Sequence, residues 1–238
     1  MPWPHIQLSA DPAAFPARPP ADLSDPAVIA VHDQTAFDSV ETMVDHWDRP
    51  GWTAQTRAYY WMLTFPDSPA LADLARRCQQ YLAPLGLDPV PDDRLHVTLT
   101  RFASAATLPL SRLDDVISAA APLLPAAFRL RAVPLAGSRG AVRLTVAPWG
   151  PVLALHAALS GSMALLGLAP RKPTELFRPH LSLAYNNRPR PAVPVVEAVT
   201  ALRDLPSVDL RVQDVQLVEL RREERAYRWD VIRSVPLD

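Results

Sequence analysis

The chain has 238 residues, enough for one large domain or two small lobes, and its 49% apolar and 21% charged residues leave ample material for a core. A net charge of −1 argues against a protein held on nucleic acid mainly by a broad basic surface, although a few local arginines would still bind a small phosphate-bearing substrate. The single cysteine, Cys78, excludes an internal disulfide and a cysteine-rich zinc site.

The N-terminal sequence has neither the pattern of a signal peptide nor that of a membrane span. It lacks a basic segment followed by an apolar one, and no stretch approaches the roughly 18 apolar residues that a span requires. We therefore expect a cytoplasmic protein with no membrane partner. Residues 1–34 are predicted to be a proline-rich extension, extended or disordered over 1–26, ahead of a single domain over 35–238.

The predicted elements alternate between helices and antiparallel strands. Alternating or aromatic runs predict strands over 58–65, 94–102 and 178–186, and hairpins over 127–148 and 208–235. Apolar spacing, capping residues and proline or glycine stops predict helices over 35–47, 68–86, 110–124, 152–167 and 193–205. The fold class that follows is α+β: a bilobal duplicated fold of two antiparallel sheets with helices packed outside and an active-site cleft between the lobes.

One short pattern occurs twice along the chain, 84 residues apart. "RLHVTLTRF" begins at residue 94 and "RPHLSLAYN" at residue 178, and each places an arginine, a histidine and a hydroxyl residue at alternate positions. Because alternate side chains of a strand share a face, these polar residues form one stripe, and the apolar residues between them form another. A strand with one polar and one buried face is what the lining of a cleft requires.

Two such stripes facing each other supply acid–base chemistry. Histidine titrates near pH 6.5, so one of His96 and His180 can act as a base on a hydroxyl or water while the other protonates a leaving oxygen. The hydroxyls of Thr98 and Ser182 can hydrogen-bond phosphate oxygens. Phosphodiester cleavage by these groups needs no metal ion or other cofactor. The symmetry of the two motifs leaves open which histidine is the base.

Arginine and tyrosine residues near the motifs are further candidates for substrate binding. Arg94 and Arg178 can make charge-assisted contacts with phosphate, with a solvated surface position as the equal alternative. Tyr60, on a neighbouring strand, and Tyr185, at the end of the second motif, can stack on a base. Aromatic residues in strands more often belong to the core, and strict alternation places Tyr185 on the face opposite the second histidine.

The other histidines are expected to serve the fold. No spacing typical of a metal site and no glycine-rich nucleotide motif is present. Thr100 is predicted to be peripheral, and Trp149 is predicted on a loop at the rim of the cleft. The histidines expected to be structural or solvated are His5, His32, His46 and His156.

The paired motif resembles that of the two-histidine (2H) phosphoesterase superfamily, in its branch of RNA 2′,3′-cyclic phosphodiesterases and 2′-5′ RNA ligase-like proteins. The resemblance covers about residues 40–235, and "DHWDRPGW" followed by "YYWMLTF" is similar to the N-terminal region of actinobacterial members. It implies a duplicated fold with the two motifs facing each other, and metal-independent hydrolysis of a cyclic or 2′-5′ phosphodiester, or its reversal as ligation. The motif maps onto His96, Thr98, His180 and Ser182.

Three functions remain open from the sequence. The first is a monomeric phosphodiesterase acting on a nucleotide or an RNA end, with no obligate protein partner. The second is a binding module that holds a nucleotide or an RNA end without turnover. The third is a phosphoesterase acting on a substrate that is not a nucleic acid.

Overall fold

The computed structural model describes residues 6–168, 170 and 172–237. Its helices are α1 (Pro26–Asp38), α2 (Pro69–Leu82), α3 (Leu113–Ala120), α4 (Trp149–Leu165) and α5 (Val193–Thr200). Its strands are β1 (Thr42–Met43), β2 (Arg57–Thr64), β3 (Asp88–Pro89), β4 (His96–Ser104), β5 (Phe128–Ser138), β6 (Ala141–Ala147), β7 (Leu181–Tyr185), β8 (Arg190–Pro191), β9 (Val208–Val212), β10 (Asp214–Glu223) and β11 (Ala226–Pro236).

Two antiparallel sheets carry the fold, as the sequence predicted. The first has the strand order β11-β10-β2-β4, and the second has the order β3-β7-β6-β5-β9. The two-residue strands β1 and β8 form a separate small ladder. The first histidine motif lies on β4, at the edge of the first sheet, and the second lies at the start of β7 in the second sheet.

The two halves of the chain repeat a strand–helix–strand unit and exchange its helix. The units are β2–α2–β4, in which β3 is an insertion, and β6–α4–β7. The helix of each unit packs on the sheet of the other: α2 contacts β7 and β9, and α4 contacts β4. A large buried hydrophobic cluster therefore runs through both lobes, beside a smaller one in the first sheet. The large cluster ties the two motif strands to one rigid interior.

The helix predicted over residues 35–47 is wrong. Helix α1 begins earlier, at Pro26, where Asp25 accepts a hydrogen bond from the amide of Ala27 (2.8 Å), and it ends at Asp38. An N-cap aspartate followed by proline is a strong start signal, and it outweighs the apolar spacing farther along. Turns at residues 46–47 and 50–51 follow instead, and His46 lies at the cleft.

The hairpin predicted over 208–235 is shorter than expected. Strand β9 pairs with β5 in the second sheet, whereas β10 and β11 form the true hairpin in the first. Only Gln213 separates β9 from β10, so the alternation of the sequence continues across a change of sheet. The other predictions hold, with ends displaced by a few residues: strands 58–65, 94–102 and 178–186, hairpin 127–148, and helices 68–86, 110–124, 152–167 and 193–205.

The N-terminal segment, residues 6–25, has no regular secondary structure but is packed on the body of the protein. Ile6, Leu8 and Leu23 contact the core, and the amide of Ser9 donates to the carbonyl of Glu175 (2.9 Å). The predicted boundary at residue 34 falls inside α1, so the division into an extension and a domain remains a prediction.

None of the described helices has the length and apolar character needed to cross a membrane.

Candidate active site

His96 and His180 line one cavity of about 230 Å³. Thr98 and Ser182 line it as well, so the four motif residues that the sequence paired meet in space. One half of the cavity comes from β4 of the first sheet and the other from the start of β7 in the second. The two short motifs therefore form a single site split between the lobes.

The two histidines are held by the same hydrogen bond. Nδ1 of His96 lies 2.8 Å from the carbonyl oxygen of Arg94, and Nδ1 of His180 lies 2.9 Å from that of Arg178. A carbonyl only accepts, so Nδ1 carries the hydrogen in both rings. This fixes the tautomer in which Nε2 of a neutral ring has a free lone pair, the arrangement that a general base requires.

Both imidazoles are held toward their neutral form, and His180 more strongly. Burial lowers the pKa of His96, and its hydrogen bond to the Arg94 carbonyl opposes this in part. Burial also places the pKa of His180 well below the ordinary value, and the nearby Arg143 guanidinium lowers it further. The two histidines are thus equivalent in geometry but differ in their electrostatic surroundings.

A β-bulge follows the hydroxyl residue in each motif strand. Thr98 and Thr100 pair with adjacent residues of β2, which leaves Leu99 as the extra residue, and Leu183 is extra in β7 in the same way. An extra residue reverses the alternation beyond it. The residue five positions after each histidine therefore returns to the cleft side: Arg101 in β4 and Tyr185 in β7.

The bulges explain where three sequence predictions fall. Tyr185 lines the cavity of the two histidines, as proposed, although strict alternation points it away. Tyr60, which pairs with Arg101 across β2 and β4, also lines this cavity. Thr100 pairs with Trp61 and is buried, and its hydroxyl donates to the Arg101 carbonyl (3.3 Å).

The phosphate contact predicted for Arg178 stays a prediction, and in this structure the donors of its side chain bind backbone carbonyls. Its Nε donates to the carbonyl of Pro16 (3.3 Å), Nη1 to those of Glu175 and Phe177 (3.3 and 3.1 Å), and Nη2 to that of Ser9 (2.6 Å). The guanidinium is buried and engaged with backbone carbonyls. Its role is to fasten the N-terminal segment to the turn that precedes the second histidine.

The side chain of Arg94 contacts Trp229, a residue that packs against His96. Nη1 donates to the carbonyl of Trp229 (3.1 Å), and the guanidinium carbon lies 4.7 Å from the centre of the Trp229 ring. That ring packs edge-on against His96, with 5.0 Å between the ring centres. In both motifs, therefore, the arginine orients the histidine through its carbonyl and anchors a neighbouring segment through its side chain.

Arg143 is the functional candidate that the sequence analysis missed. It lies on β6, directly across from Ser182, and lines the cavity of the two histidines. Burial lowers the pKa of its guanidinium to about 10, so the group remains charged at neutral pH, and its Nε has no hydrogen-bond partner among the described residues. The sequence feature that could have indicated a role for Arg143 is a charged residue inside "AVRLTV", an otherwise mostly apolar strand.

An aromatic wall closes one side of the cavity. His46 stacks on Tyr185 with 4.0 Å between ring centres, and its Nε2 lies 3.1 Å from the hydroxyl of Tyr227. Arg49 donates to His46 Nδ1 (3.3 Å), which leaves Nε2 as the donor to Tyr227. Burial lowers the pKa of His46 to about 2. The structural role of His46 stays a prediction, and the structure places this residue in the wall of the cavity.

The remaining predicted residues lie away from this cavity. His156 is buried in α4, where Nδ1 lies 2.8 Å from the hydroxyl of Thr174, and His32 lies on α1. The loop position predicted for Trp149 is wrong: β6 ends at Ala147, and Trp149 begins α4 and is fully buried. His5 lies outside the described residues. Within the described part of the chain, no three His, Cys, Asp or Glu side chains are grouped to hold a metal ion.

The fold and the paired histidines define a two-histidine phosphoesterase. A family model described as the 2′-5′ RNA ligase superfamily matches residues 65–224, and the chain belongs to that superfamily. No curated protein resembles the chain closely enough to count as a match.

Solved structures that resemble the chain share its fold at low sequence identity. TT0787 of Thermus thermophilus is 21% identical, with a TM-score of 0.56 over 76% of this chain and 97% of that one. E. coli LigT in complex with 3′-AMP is 19% identical, with a TM-score of 0.54 over 77% and 99%. A protein named as a phosphoesterase is 16% identical, with a TM-score of 0.55 over 77% and 99%. About a quarter of this chain thus has no counterpart in these structures.

Proposed function

We propose that the chain is a metal-independent phosphodiesterase that opens the 2′,3′-cyclic phosphate of a nucleotide or an RNA end, or cleaves a 2′-5′ linkage. The observation that carries the proposal is the duplicated geometry of His96 and His180, each with Nδ1 on a backbone carbonyl and both on one cavity. Such a pair supplies a base and an acid on opposite sides of one phosphorus atom. Each proton transfer of this kind contributes about 10²–10⁴ in rate.

The assignment of base and acid follows from the charges around the rings. Burial lowers the pKa of both histidines, and Arg143 lowers that of His180 further, which keeps the His180 ring neutral and able to accept a proton. His96 packs against Trp229 instead, and the negative charge of a bound phosphodiester favours its protonated form. We therefore assign His180 as the base and His96 as the acid for hydrolysis.

The hydrolytic step then balances as follows. His180 Nε2 takes a proton from a water whose oxygen attacks the phosphorus, and the bond to one ribose oxygen breaks. His96 gives its Nε2 proton to that leaving oxygen, which yields a nucleoside 2′- or 3′-phosphate. The Thr98 and Ser182 hydroxyls and the Arg143 guanidinium stabilise the charge on the non-bridging oxygens. When the 5′-hydroxyl of a second ribose takes the place of water, its attack on the cyclic phosphate breaks the bond to O3′, His96 protonates that oxygen, and a 2′-5′ linkage forms.

The size and composition of the site favour a nucleotide-sized ligand. Tyr60, Tyr185 and Tyr227 give the cavity aromatic surfaces on which a base can stack. The E. coli LigT structure, which shares the fold, contains 3′-AMP, a nucleoside phosphate of the type that this reaction releases. We further propose that the protein acts as a monomer, because one chain supplies both halves of the site.

A substrate panel tests the proposal. The purified chain is incubated with the four nucleoside 2′,3′-cyclic phosphates, 2′-5′ and 3′-5′ dinucleotides and a non-nucleotide cyclic phosphodiester, with and without EDTA, and 2′- and 3′-phosphate products are resolved. We expect hydrolysis of a cyclic or 2′-5′ nucleotide, with one regioisomer formed and no effect of EDTA. Tight binding without product, hydrolysis of the non-nucleotide alone, or loss of activity in EDTA would contradict it.

A further inference from the structure

A second, larger cavity adjoins the cavity of the two histidines. Its volume is about 610 Å³. Arg49, Tyr60, Thr98, Arg143 and His180 line both cavities, so the two are parts of one continuous space. We call the larger one the outer compartment. A substrate bound in the catalytic cavity can therefore extend into the outer compartment.

The outer compartment concentrates positive charge. Four basic residues line it in addition to the two arginines that it shares with the catalytic cavity: Arg101, Arg139, Lys172 and Arg178. The guanidinium of Arg178 already binds backbone carbonyls. No Asp or Glu side chain is among its lining residues in the described part of the chain. The chain as a whole has a net charge of −1, so this concentration is local. Local fields of this kind attract anionic ligands whatever the net charge.

One wall of the outer compartment comes from a part of the chain outside the family match. Pro12, Ala13, Ala14 and Phe15 line it, and Arg178 holds the segment in place through the carbonyls of Ser9 and Pro16. The family model begins at residue 65. The N-terminal segment thus supplies one wall of the outer compartment, whereas Arg101 and Arg139 lie within the matched region.

We propose that the outer compartment binds a second phosphate group of the substrate, one nucleoside away from the phosphodiester that is cleaved. This inference rests on the proposed function, because it takes the scissile phosphate to lie between His96 and His180. Thr98, Ser182 and Arg143 suffice for that phosphate, so the further cations of the outer compartment, Arg101 and Arg139 above all, can serve another anion. Guanidinium groups bind phosphate oxygens through paired hydrogen bonds.

The second phosphate has two possible sources, and the substrates of the test distinguish them. It is either a terminal 5′-phosphate on the same nucleoside or the internal phosphodiester of a longer RNA end. The test compares kcat/KM for three compounds: adenosine 2′,3′-cyclic phosphate, the same compound with a 5′-phosphate, and a dinucleotide ending in a 2′,3′-cyclic phosphate. We expect at least one of the latter two to be preferred about 10-fold or more, with the preference shrinking as salt rises. Equal values for all three would overturn the proposal.

Matched variants connect the preference to the outer compartment. Ala13 is exposed at its rim, so Ala13→Glu adds a negative charge without disturbing the core, and Ala13→Gln adds nearly the same volume without charge. We expect Ala13→Glu to reduce the preference about 5-fold and Ala13→Gln to preserve it. Arg139→Gln should also reduce it, whereas Arg129→Gln, an exposed change on β5 outside the compartment, should not. Identical ratios in Ala13→Glu and Ala13→Gln would overturn the proposal.

A binding measurement separates this inference from the proposed function. Calorimetry with 2′-AMP and adenosine 2′,5′-bisphosphate requires no turnover. We expect the bisphosphate to bind about 10-fold more tightly, and Ala13→Glu to remove most of that gain. If the chain hydrolyses cyclic nucleotides but binds the two ligands equally, the function stands and the second phosphate site is refuted. If the chain hydrolyses no cyclic nucleotide yet binds the bisphosphate more tightly, the second phosphate site stands and the proposed function is refuted.

Discussion

At the scale of single residues, Arg143 makes two otherwise equivalent histidines different. Both rings have a backbone carbonyl on Nδ1 and a pKa that burial lowers, but the guanidinium is a cause of the lowered pKa only for His180. Arg143 also sits across from Ser182, where a non-bridging phosphate oxygen would lie. In the mechanism that we propose, this one cation stabilises substrate charge and, together with burial, keeps the base neutral.

Replacing Arg143 by glutamine should change both the rate and its dependence on pH. We expect kcat/KM for a 2′,3′-cyclic nucleotide to fall about 10²-fold, because a charge-assisted hydrogen bond is worth roughly 1.5–3 kcal/mol. The acid limb of the kcat/KM profile reports the pKa of the base. It should lie below pH 6.5 in the wild type and move to higher pH in the variant. Arg129→Gln is the matched control, and an unmoved acid limb in Arg143→Gln would contradict the assignment of His180 as the base.

The roles of the motif arginines show where sequence reasoning stops at this scale. The spacing of His96, Thr98, His180 and Ser182 was enough to place all four in one cavity. Arginine at the same offset suggested a side-chain contact with phosphate, yet the shared feature is the carbonyl oxygen that fixes each imidazole. Every residue has a backbone carbonyl, so the residue type cannot predict that this carbonyl accepts a hydrogen bond from the histidine.

At the scale of elements, the two bulges decide which side chains reach the site. Leu99 and Leu183 occupy equivalent positions after the two motifs, and each turns the residue two places on toward the cleft. Alternation predicted the strands correctly but could not predict an inserted residue, because a bulge leaves the apolar pattern of a short strand nearly unchanged. Arg101 was missed for this reason, and Tyr185 was proposed only against the formal pattern.

Helix α1 and strand β5 meet at a glycine, and substitution there should be costly. A Cβ at Gly137 would lie 2.5 Å from the ring of Phe37, which is fully buried. We expect Gly137→Ala to lower the free energy of unfolding by about 1–3 kcal/mol through overpacking. The control is Gly161→Ala at an exposed position of α4, where a Cβ meets nothing within 4 Å and the change should stabilise by roughly 0.5–1 kcal/mol. Urea denaturation measures both, and equal effects would contradict the packing.

At the scale of the whole molecule, the chain is held together by exchanged elements. Each strand–helix–strand unit gives its helix to the other lobe, and the N-terminal segment crosses to the turn before His180. The α+β class and the duplication could be predicted from periodicity and the repeated motif. The exchange of helices could not be predicted, because an apolar helix face indicates that the helix is buried but not which sheet it packs against. The packing of the proline-rich N-terminal segment on the body of the protein could not be predicted either, because that segment has no periodic apolar pattern.

Arg178 should control the docking of the N-terminal segment. Replacing it by methionine keeps much of the buried volume but removes the donors to the carbonyls of Ser9 and Pro16. We expect amide hydrogen exchange over residues 6–25 to become at least 10-fold faster, while exchange in β5 and β6 changes little. Arg211→Met, an exposed change on β9, is the control. Unchanged protection of residues 6–25 in Arg178→Met would contradict this role.

The most direct test of the central claim, that two motifs form one catalytic site, is the hydrolysis rate of His96→Ala and His180→Ala. The substrate is the cyclic nucleotide that the wild type cleaves fastest, and His32→Ala on α1 is the control. We predict that each single variant, still folded by circular dichroism, loses about 10²–10⁴ in kcat and that the double variant is little worse than either single one. Wild-type rates in either folded single variant would contradict the account.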